Sequence, residues 1–272
     1  MKKRSLLQRL LGAPYILWAA IFIVVPLVIV VYYSFTDADG AFTLANIKAL
    51  ADYGEIFGIS IEYSLIATVI TLLISYPFAY LMSRKRDSVQ RIMMMLVMLP
   101  MWMNLLIRTY SWMNILERNG IINNLLAALG LEPLKLIGTP AAVIFGMIYN
   151  YIPYMILPIY SVMAKIEPSL LEAAEDLGSD GFSKLRRVIL PLSMPGVVSG
   201  ITMVFVPSVS TFYISQKLGG KIMLVGDAIE KQIQSLYNYN LGAALSLVLM
   251  VLIVISMALM KKFAGDDDQL YV

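Results

Sequence analysis

The polar residues between Lys165 and Pro191 have the types and the spacing of a protein-docking surface, in a chain that is otherwise very apolar. Pro168 suits the first turn of a helix, and Gly178 suits its end. An apolar stripe lies opposite an acidic face on this helix; the stripe is Leu170, Ala174 and Leu177, and the face is Glu172, Glu175 and Asp176. Such a helix is too short and too charged to span a bilayer, so we expect it at the membrane surface with a protein pressed against it. An ordinary amphipathic loop between two spans is the alternative that these residues leave open.

A second short helix is predicted to follow, with Asp180 as its cap. Its apolar stripe would be Phe182, Leu185 and Ile189, and its basic edge would be Lys184, Arg186 and Arg187. Basic residues favour the cytoplasmic leaflet, which places this segment on the inner face of a membrane. Pro191 and Pro195 are expected to break the chain before the next hydrophobic run, because proline lacks a backbone donor.

Catalytic and metal chemistry have few residues available in this chain. It contains no cysteine and no histidine, which removes disulfides, thiolate nucleophiles, Cys/His metal sites and imidazole acid–base catalysis. It also lacks the phosphate-binding pattern G-x-x-x-x-G-K-[ST], since Gly219, Gly220 and Lys221 have neither its spacing nor its following hydroxyl residue. We therefore expect a non-enzymatic protein that binds no cofactor, metal or nucleic acid.

The elements that must position these residues are membrane spans. Of the 272 residues, 59% are hydrophobic and only 14% are charged, which is typical of an integral membrane protein. Hydrophobic runs of about 20 residues predict an all-α fold with six transmembrane helices. A basic amphipathic segment at 1–13 precedes them. The predicted spans are 14–35, 63–82, 93–116, 139–162, 194–213 and 243–260.

The distribution of Lys and Arg residues predicts the orientation of these spans. More than twice as many of the 21 basic residues fall on the predicted inner side as on the outer side. This bias places both termini in the cytoplasm, and it places the docking segment on the cytoplasmic side between spans four and five. We interpret residues 1–272 as a single domain.

The docking segment resembles the EAA signature of ABC-importer permeases. The one departure is Val188, which has one methylene less than the isoleucine usual at that position. The matching residues are Glu172, Ala173, Ala174, Gly178, Val188, Ile189, Leu190 and Pro191. The resemblance implies a type I importer permease with a transmembrane core of about 60–260, in which this segment is the coupling helix. It also implies two cytoplasmic ATPase subunits that bind ATP and Mg, a second homologous permease subunit and an extracytoplasmic substrate-binding protein.

Further segments resemble the permeases of spermidine/putrescine importers, and specifically the first of their two permease subunits. They are 75–80, 99–104, 106–110, 212–215 and 219–220, within a likeness that runs from about 15 to about 260. The resemblance implies polyamine uptake across a prokaryotic plasma membrane. Members of the same superfamily carry ferric ions, molybdate or organic phosphates, so these solutes are the alternative substrates.

The predicted spans contain no Asp or Glu, although a polyamine needs carboxylates, carbonyl dipoles or aromatic faces to replace its water. They contain aromatic and amide side chains instead, which suit a conduit that holds its substrate briefly. The candidates for the path or its gate are Trp102, Asn104, Tyr110, Tyr149, Asn150, Phe212 and Tyr213, with Tyr151 and Tyr154 as further aromatics. The resemblance favours Phe212 and Tyr213, because the family has its outer gate at the external end of the fifth span. The alternative is that most of these rings lie in an interfacial belt or pack between helices.

Arg108 is the one charged residue inside a predicted span. An intramembrane charge is a candidate for function, but a fixed positive charge would repel a polyamine. We therefore expect a structural role for Arg108, paired with backbone carbonyls or with the second permease subunit.

Two other classes of protein agree less well with the sequence. A secondary transporter would need acidic residues within the membrane or a site built from related repeats, and the chain has neither acids in its spans nor a clear internal repeat. A membrane-embedded enzyme would need a catalytic constellation, for which only scattered polar groups are present.

Overall fold

The computed structural model describes residues 14–264, and these residues form helices joined by short connections. The predicted amphipathic segment at 1–13 lies outside the described residues. The helices of six or more residues are Pro14–Ser34 (α1), Gly54–Ser83 (α2), Asp87–Trp102 (α3), Leu105–Leu116 (α4), Ile121–Ala128 (α5), Pro140–Met163 (α6), Pro168–Asp176 (α7), Gly181–Val209 (α8), Tyr213–Leu218 (α9), Val225–Glu230 (α10) and Tyr239–Ala264 (α11). Shorter helical segments lie at Ala45–Ala49, Leu50–Tyr53 and Lys231–Ser235.

Five segments of the described chain are long and apolar enough to cross a membrane, and α3 with its bent continuation makes a sixth. The prediction of an all-α protein with six spans is therefore confirmed for residues 14–264. The bounds of α1 and α6 lie within one residue of the predicted ones, and α6 begins at Pro140 after the capping residue Thr139. Helices α2 and α8 begin much earlier than predicted, α2 at residue 54 instead of 63 and α8 at residue 181 instead of 194. The segments predicted as loops at 117–138 and 214–242 are partly helical, because they contain α5, most of α9 and α10.

The third span is not the straight helix predicted over 93–116. The chain bends by 90° between α3 and the helices that follow it. Met103 is extended, and the side chain of Asn104 accepts a hydrogen bond of 2.7 Å from the backbone N–H of Leu106. This N-cap starts a new helix in the middle of an apolar run, because an asparagine oxygen can replace the missing backbone acceptor at a helix start.

The break predicted at Pro191 and Pro195 is also wrong, since α8 continues through both prolines. A π-helical turn at Leu185–Ile189 shifts the hydrogen-bond register, and the N–H of Leu190 bonds to the carbonyl of Leu185. Pro191 then occupies the first turn of the α-helical part, where proline's missing donor costs little. At the other end, α8 stops at Val209, so Phe212 and Tyr213 do not end the fifth span as predicted. Tyr213 is instead the first residue of α9.

The described chain divides into two compact units, one of residues 14–55 with 228–251 and the other of residues 56–227 with 252–264. Within the first unit, Asn240 donates a hydrogen bond of 2.7 Å to the carbonyl of Thr36. Gln232 donates another of 2.7 Å to the hydroxyl of Tyr53. The second unit contains every candidate site residue that the sequence predicts.

Close packing of α6 against α8 forms the core of the second unit. A methyl group added at Gly196 would lie 2.7 Å from the carbonyl oxygen of Pro158, and one at Gly200 would lie 2.7 Å from the sulfur of Met155. Small residues allow helix backbones in membranes to approach this closely. Buried side chains surround the contact, among them Ala79, Met82, Ile159, Met163, Val197 and Val204.

Replacing Gly196 with valine should push α6 and α8 apart, because the Pro158 carbonyl belongs to a helix backbone and cannot move aside freely. We expect a loss of about 1–3 kcal/mol in unfolding free energy, measured as a lower melting temperature of the purified protein. The matched control is Gly58→Val in α2, where an added methyl group meets nothing within 4 Å. Equal melting temperatures for the two variants would contradict the close contact.

Candidate coupling surface and translocation path

Helix α7 has the boundaries that its sequence predicts. Glu167 before it is extended, Pro168 occupies its first turn, and the helix ends at Asp176. Gly178 has a φ of +81°, the left-handed conformation that a glycine adopts readily at a helix end, and its N–H donates to the carbonyl of Glu175 at 2.8 Å. The N–H of Ser179 donates to the carbonyl of Ala174 at 3.0 Å, so the turn satisfies two carbonyls that the helix end leaves free.

The predicted apolar stripe of α7 is divided between two faces. Leu171 and Ala174 are buried against the rest of the second unit, whereas Leu170 is 49% exposed and Leu177 is 88% exposed. The inward face is therefore centred on Leu171, which the predicted stripe does not include. The outward face exposes two leucines together with Ala173 and Glu172, an amphipathic surface without a partner in the described chain.

The start of α8 stands directly beside this surface. Asp180 caps it as predicted and accepts a hydrogen bond of 3.0 Å from the backbone N–H of Ser183. Hydrogen bonding from the Ser183 side chain and backbone lowers the pKa of Asp180 below its usual value. The cap therefore stabilises the helix start above the ordinary pKa of aspartate, and its contribution is lost as the pH falls through the lowered one. Leu190 and Pro191, the end of the matched signature, are exposed where the α-helical part of α8 begins.

Side-chain bonds that the sequence analysis does not predict join α7 to its neighbours. Arg84, which follows α2, donates to the carbonyls of Met163 at 3.0 Å and Ile166 at 3.2 Å, at the end of α6. Lys184 in α8 forms an ion pair with Glu175 in α7. A cavity of about 570 Å³ lies among these groups and is lined by residues that include Arg84, Glu172, Glu175 and Lys184. The contact of Arg84 with the two carbonyls has a sequence signal, which is an arginine placed just beyond a span. Cationic side chains bond well to the free carbonyls at helix ends.

Of the candidate path residues, the structure brings Tyr110 and Tyr213 together. Their ring centroids are 6.2 Å apart and their planes make an angle of 77°, an edge-to-face pair between α4 and α9. The ammonium of Lys217 lies 5.1 Å from the centroid of the Tyr110 ring and 5.6 Å from that of Tyr213. Lys217 is not among the residues that the sequence analysis predicts, since it lies in a segment predicted to be a polar external loop.

The other candidates are scattered over the second unit. Tyr149 packs edge-to-face on Trp112, with ring centroids 5.2 Å apart, and thus contributes to helix packing. Asn150 is buried and donates to the carbonyl of Gly146 at 2.8 Å within α6. Asn104 caps α4, Trp102 is exposed at the end of α3, and Phe212 is exposed between α8 and α9. The position of Tyr149 agrees with the alternative that most of the rings pack between helices or lie in an interfacial belt.

Arg108 does not pair as fully with backbone carbonyls as the sequence analysis expects. Its side chain is only 7% exposed, and its Nε and Nη1 atoms have no hydrogen-bond partner among residues 14–264. A buried guanidinium with unpaired donors is costly in an isolated chain. Its predicted pairing with the second permease subunit stays a prediction.

Comparison with known proteins agrees with the described geometry. Residues 75–264 match the family model described as "Binding-protein-dependent transport system inner membrane component". The chain is 38% identical over 249 residues to the "Spermidine/putrescine transport system permease protein PotB" of Haemophilus influenzae, covering 88% of this chain and 87% of that protein. It is 35% identical to the protein of the same description from Escherichia coli strain K12, covering 86% of this chain and 89% of that one. The counterpart from Salmonella typhimurium strain SL1344 is 34% identical, covering 92% of this chain and 91% of that one.

Solved structures share the fold at much lower identity. A chain in the crystal structure of a bacterial alginate ABC transporter, in complex with an alginate pentasaccharide-bound periplasmic protein, superposes with a TM-score of 0.76. It is 16% identical, and the match covers 95% of this chain and 94% of that one. At this identity the likeness extends to the fold alone.

Replacing Arg84 with glutamine should weaken the connection between the α2–α3 turn and the end of α6, because two carbonyls lose a charged donor. We expect a loss of about 1–3 kcal/mol, seen as a lower melting temperature of the purified protein. Arg86→Gln, an exposed arginine in the same turn, is the matched control. If the melting temperature falls equally in both variants, the loss of stability is caused by the lost positive charge and not by the loss of these two hydrogen bonds.

Proposed function

The chain belongs to the family of inner membrane components of binding-protein-dependent transport systems, and on that premise we propose that it is a permease subunit of an ATP-driven importer of polyamines. It is a multi-pass inner membrane protein, as are the members of its family. In the proposed importer, two cytoplasmic ATPase subunits bind ATP and Mg and supply the energy. A second permease subunit completes the path, and an extracytoplasmic binding protein delivers spermidine or putrescine.

The observation that carries the importer assignment is the outward face of α7. The first part of the match to the EAA signature, residues 172–174, lies on a short helix. This helix exposes Leu170, Leu177 and Glu172. A short helix that exposes both apolar and acidic residues is typical of a protein contact, and this surface suits the groove of an ATPase subunit. Its inward face packs on the second unit, so a force applied to the outward face would reach α6 and α8.

The polyamine assignment is supported by the relatives and agrees with the composition of the path. Helices α4, α6 and α8 contain no Asp or Glu, whereas Tyr110 and Tyr213 form an aromatic pair beside a cation. Aromatic rings attract an ammonium group more weakly than a desolvated carboxylate does, so a polyamine could pass without being trapped. Substrate recognition would then belong mainly to the binding protein.

A permease for another small solute of the same superfamily is the second candidate. Transport of an anion such as molybdate or an organic phosphate would fit Arg108 better than transport of a polycation, because this buried guanidinium has unpaired donors. The relatives at 34–38% identity favour the polyamine.

The substrate is tested in proteoliposomes that contain this chain with candidate ATPase, second permease and binding-protein subunits from the same genome. We expect ATP-dependent accumulation of radiolabelled spermidine and putrescine, and no accumulation of molybdate or glycerol phosphate. Accumulation of one of the anions without polyamine uptake would replace the first candidate with the second. Uptake that needs neither the ATPase nor ATP would contradict the importer assignment itself.

Gly178→Val should abolish coupling, because a β-branched residue at a φ of +81° strains the backbone by roughly 1–3 kcal/mol. We expect the chain to insert in the membrane while ATP-dependent uptake in the reconstituted complex falls to background. Gly181→Val is the control, since Gly181 lies in the next helix at ordinary φ and a methyl group there meets nothing within 4 Å. Normal uptake by the Gly178 variant would overturn the role of this turn.

Tyr213 tests the aromatic path. Tyr213→Ala should reduce uptake strongly, because the ring beside Tyr110 is lost, whereas Tyr213→Phe keeps a π-face and should retain most of the uptake. Uptake per assembled complex is the measurement, and substrate binding to the soluble binding protein should be the same throughout. An interfacial anchor would show little change with either residue, so near-normal uptake by Tyr213→Ala would discard the path role.

A further inference from the structure

The side chain of Lys217 occupies the aromatic pair on which the proposed path depends. Its ammonium lies 5.1 Å from the ring centroid of Tyr110 and 5.6 Å from that of Tyr213, within the distance at which a cation is attracted to a ring. One ring comes from α4 and the other from α9, so a single ammonium contacts aromatic rings of both helices. Tyr110 is 42% exposed, which leaves the pair accessible to a cation from outside the protein.

The base from which Lys217 extends is firmly held. Its neighbours in α9, Ile214 and Leu218, are 0% and 1% exposed. Both pack on Gly146 of α6 so closely that a methyl group there would lie 2.6 Å from one and 2.7 Å from the other. The carbonyl of Leu218 also accepts a hydrogen bond of 2.8 Å from the N–H of Gly138. The lysine backbone therefore stays in place, while its flexible stem can move the ammonium away from the rings.

The chemistry of a lysine side chain matches that of the proposed substrates. Four methylene groups that end in an ammonium are the aminobutyl group, and both putrescine and spermidine carry an aminobutyl end. An aromatic pair that holds one such end can hold the other, but like charges exclude simultaneous occupancy. The position of Lys217 thus indicates how a substrate end would lie against the two rings.

We propose that Lys217 is a tethered competitor, which occupies the cation site of Tyr110 and Tyr213 when no substrate is present and is displaced by an arriving alkylammonium. A tethered group acts at a high effective concentration, so it returns to the rings as soon as the substrate moves on. An ammonium group then always occupies the two rings. An arriving polyamine replaces the ammonium of Lys217 with its own instead of entering a vacant site. The polyamine as displacing cation rests on the proposed function; the occupancy by Lys217 does not.

Occupancy is tested in the purified complex with 3-fluorotyrosine at position 213 and fluorine NMR, using n-butylammonium as the probe. Lys217→Gln should shift the fluorine resonance, and added butylammonium should move it back towards its original position. In the unsubstituted chain, the tethered ammonium should raise the butylammonium concentration needed for a half-maximal response by about threefold or more. Lys217→Arg should behave as the unsubstituted chain does, because it retains a tethered cation.

Lys221→Gln is the matched control, since Lys221 is an exposed lysine that follows the same helix. It should leave both the resonance and the titration unchanged. Identical titrations in the unsubstituted chain and in Lys217→Gln would overturn the proposal. So would a Lys221→Gln variant that responds as Lys217→Gln does, because the effect would then belong to general surface charge.

Transport supplies the second measurement. Butylammonium should inhibit spermidine uptake by the Lys217→Gln complex at a concentration about threefold lower than it does for the unsubstituted complex. If the fluorine response is found while neither spermidine nor putrescine is taken up, the tethered competitor stands and the proposed substrate fails. If polyamine uptake is normal and the fluorine resonance is unchanged by the Lys217 substitution, the proposed function is supported and the role of Lys217 as a tethered competitor is contradicted.

Discussion

The close approach of α6 and α8 is the physical constraint on which the rest of the second unit depends. Gly196 and Gly200 allow the two backbones to meet without side chains between them, and lipid cannot enter such a contact. Both helices also reach the two candidate sites: α7 connects them at one end, and α9 packs on Gly146 of α6 beyond the other end of α8. A displacement of α7 therefore moves a tightly packed pair of helices rather than an isolated span.

Much of the fold could be predicted from apolar runs and end signals, and the failures have identifiable causes. Hydropathy cannot detect the bend after α3, because the residues on both sides are equally apolar; the only local signal is Asn104, a residue that caps helices well. The π turn in α8 depends on a hydrogen-bond register that no residue type specifies, so the sequence alone predicts a break at Pro191. The turn at Gly178 was predictable because its conformation follows from one residue type.

The candidate sites show the same division between local and tertiary information. The positions of the coupling residues follow from a short motif, but the face of α7 that points outward depends on packing against the core. In the sequence, Arg84 is only one of the basic residues that orient the spans, whereas its two carbonyl partners lie at the end of a helix far along the chain. No sequence motif identifies Lys217 as a site residue, because its contact with Tyr110 exists only when α4 and α9 meet in the folded protein.

The bend after α3 has a consequence for the bilayer around the protein. At about 1.5 Å per residue, the 16 residues of α3 extend only ~24 Å, less than the ~30 Å of a typical hydrocarbon layer. The non-helical backbone at Met103 and Asn104 is therefore set below the outer boundary of that layer. Acyl chains cannot satisfy exposed peptide groups, so annular lipid is excluded there, and the bilayer must thin locally or give way to water or a neighbouring subunit. The outer leaflet next to this helix is thus the part of the lipid belt that the protein would disturb most.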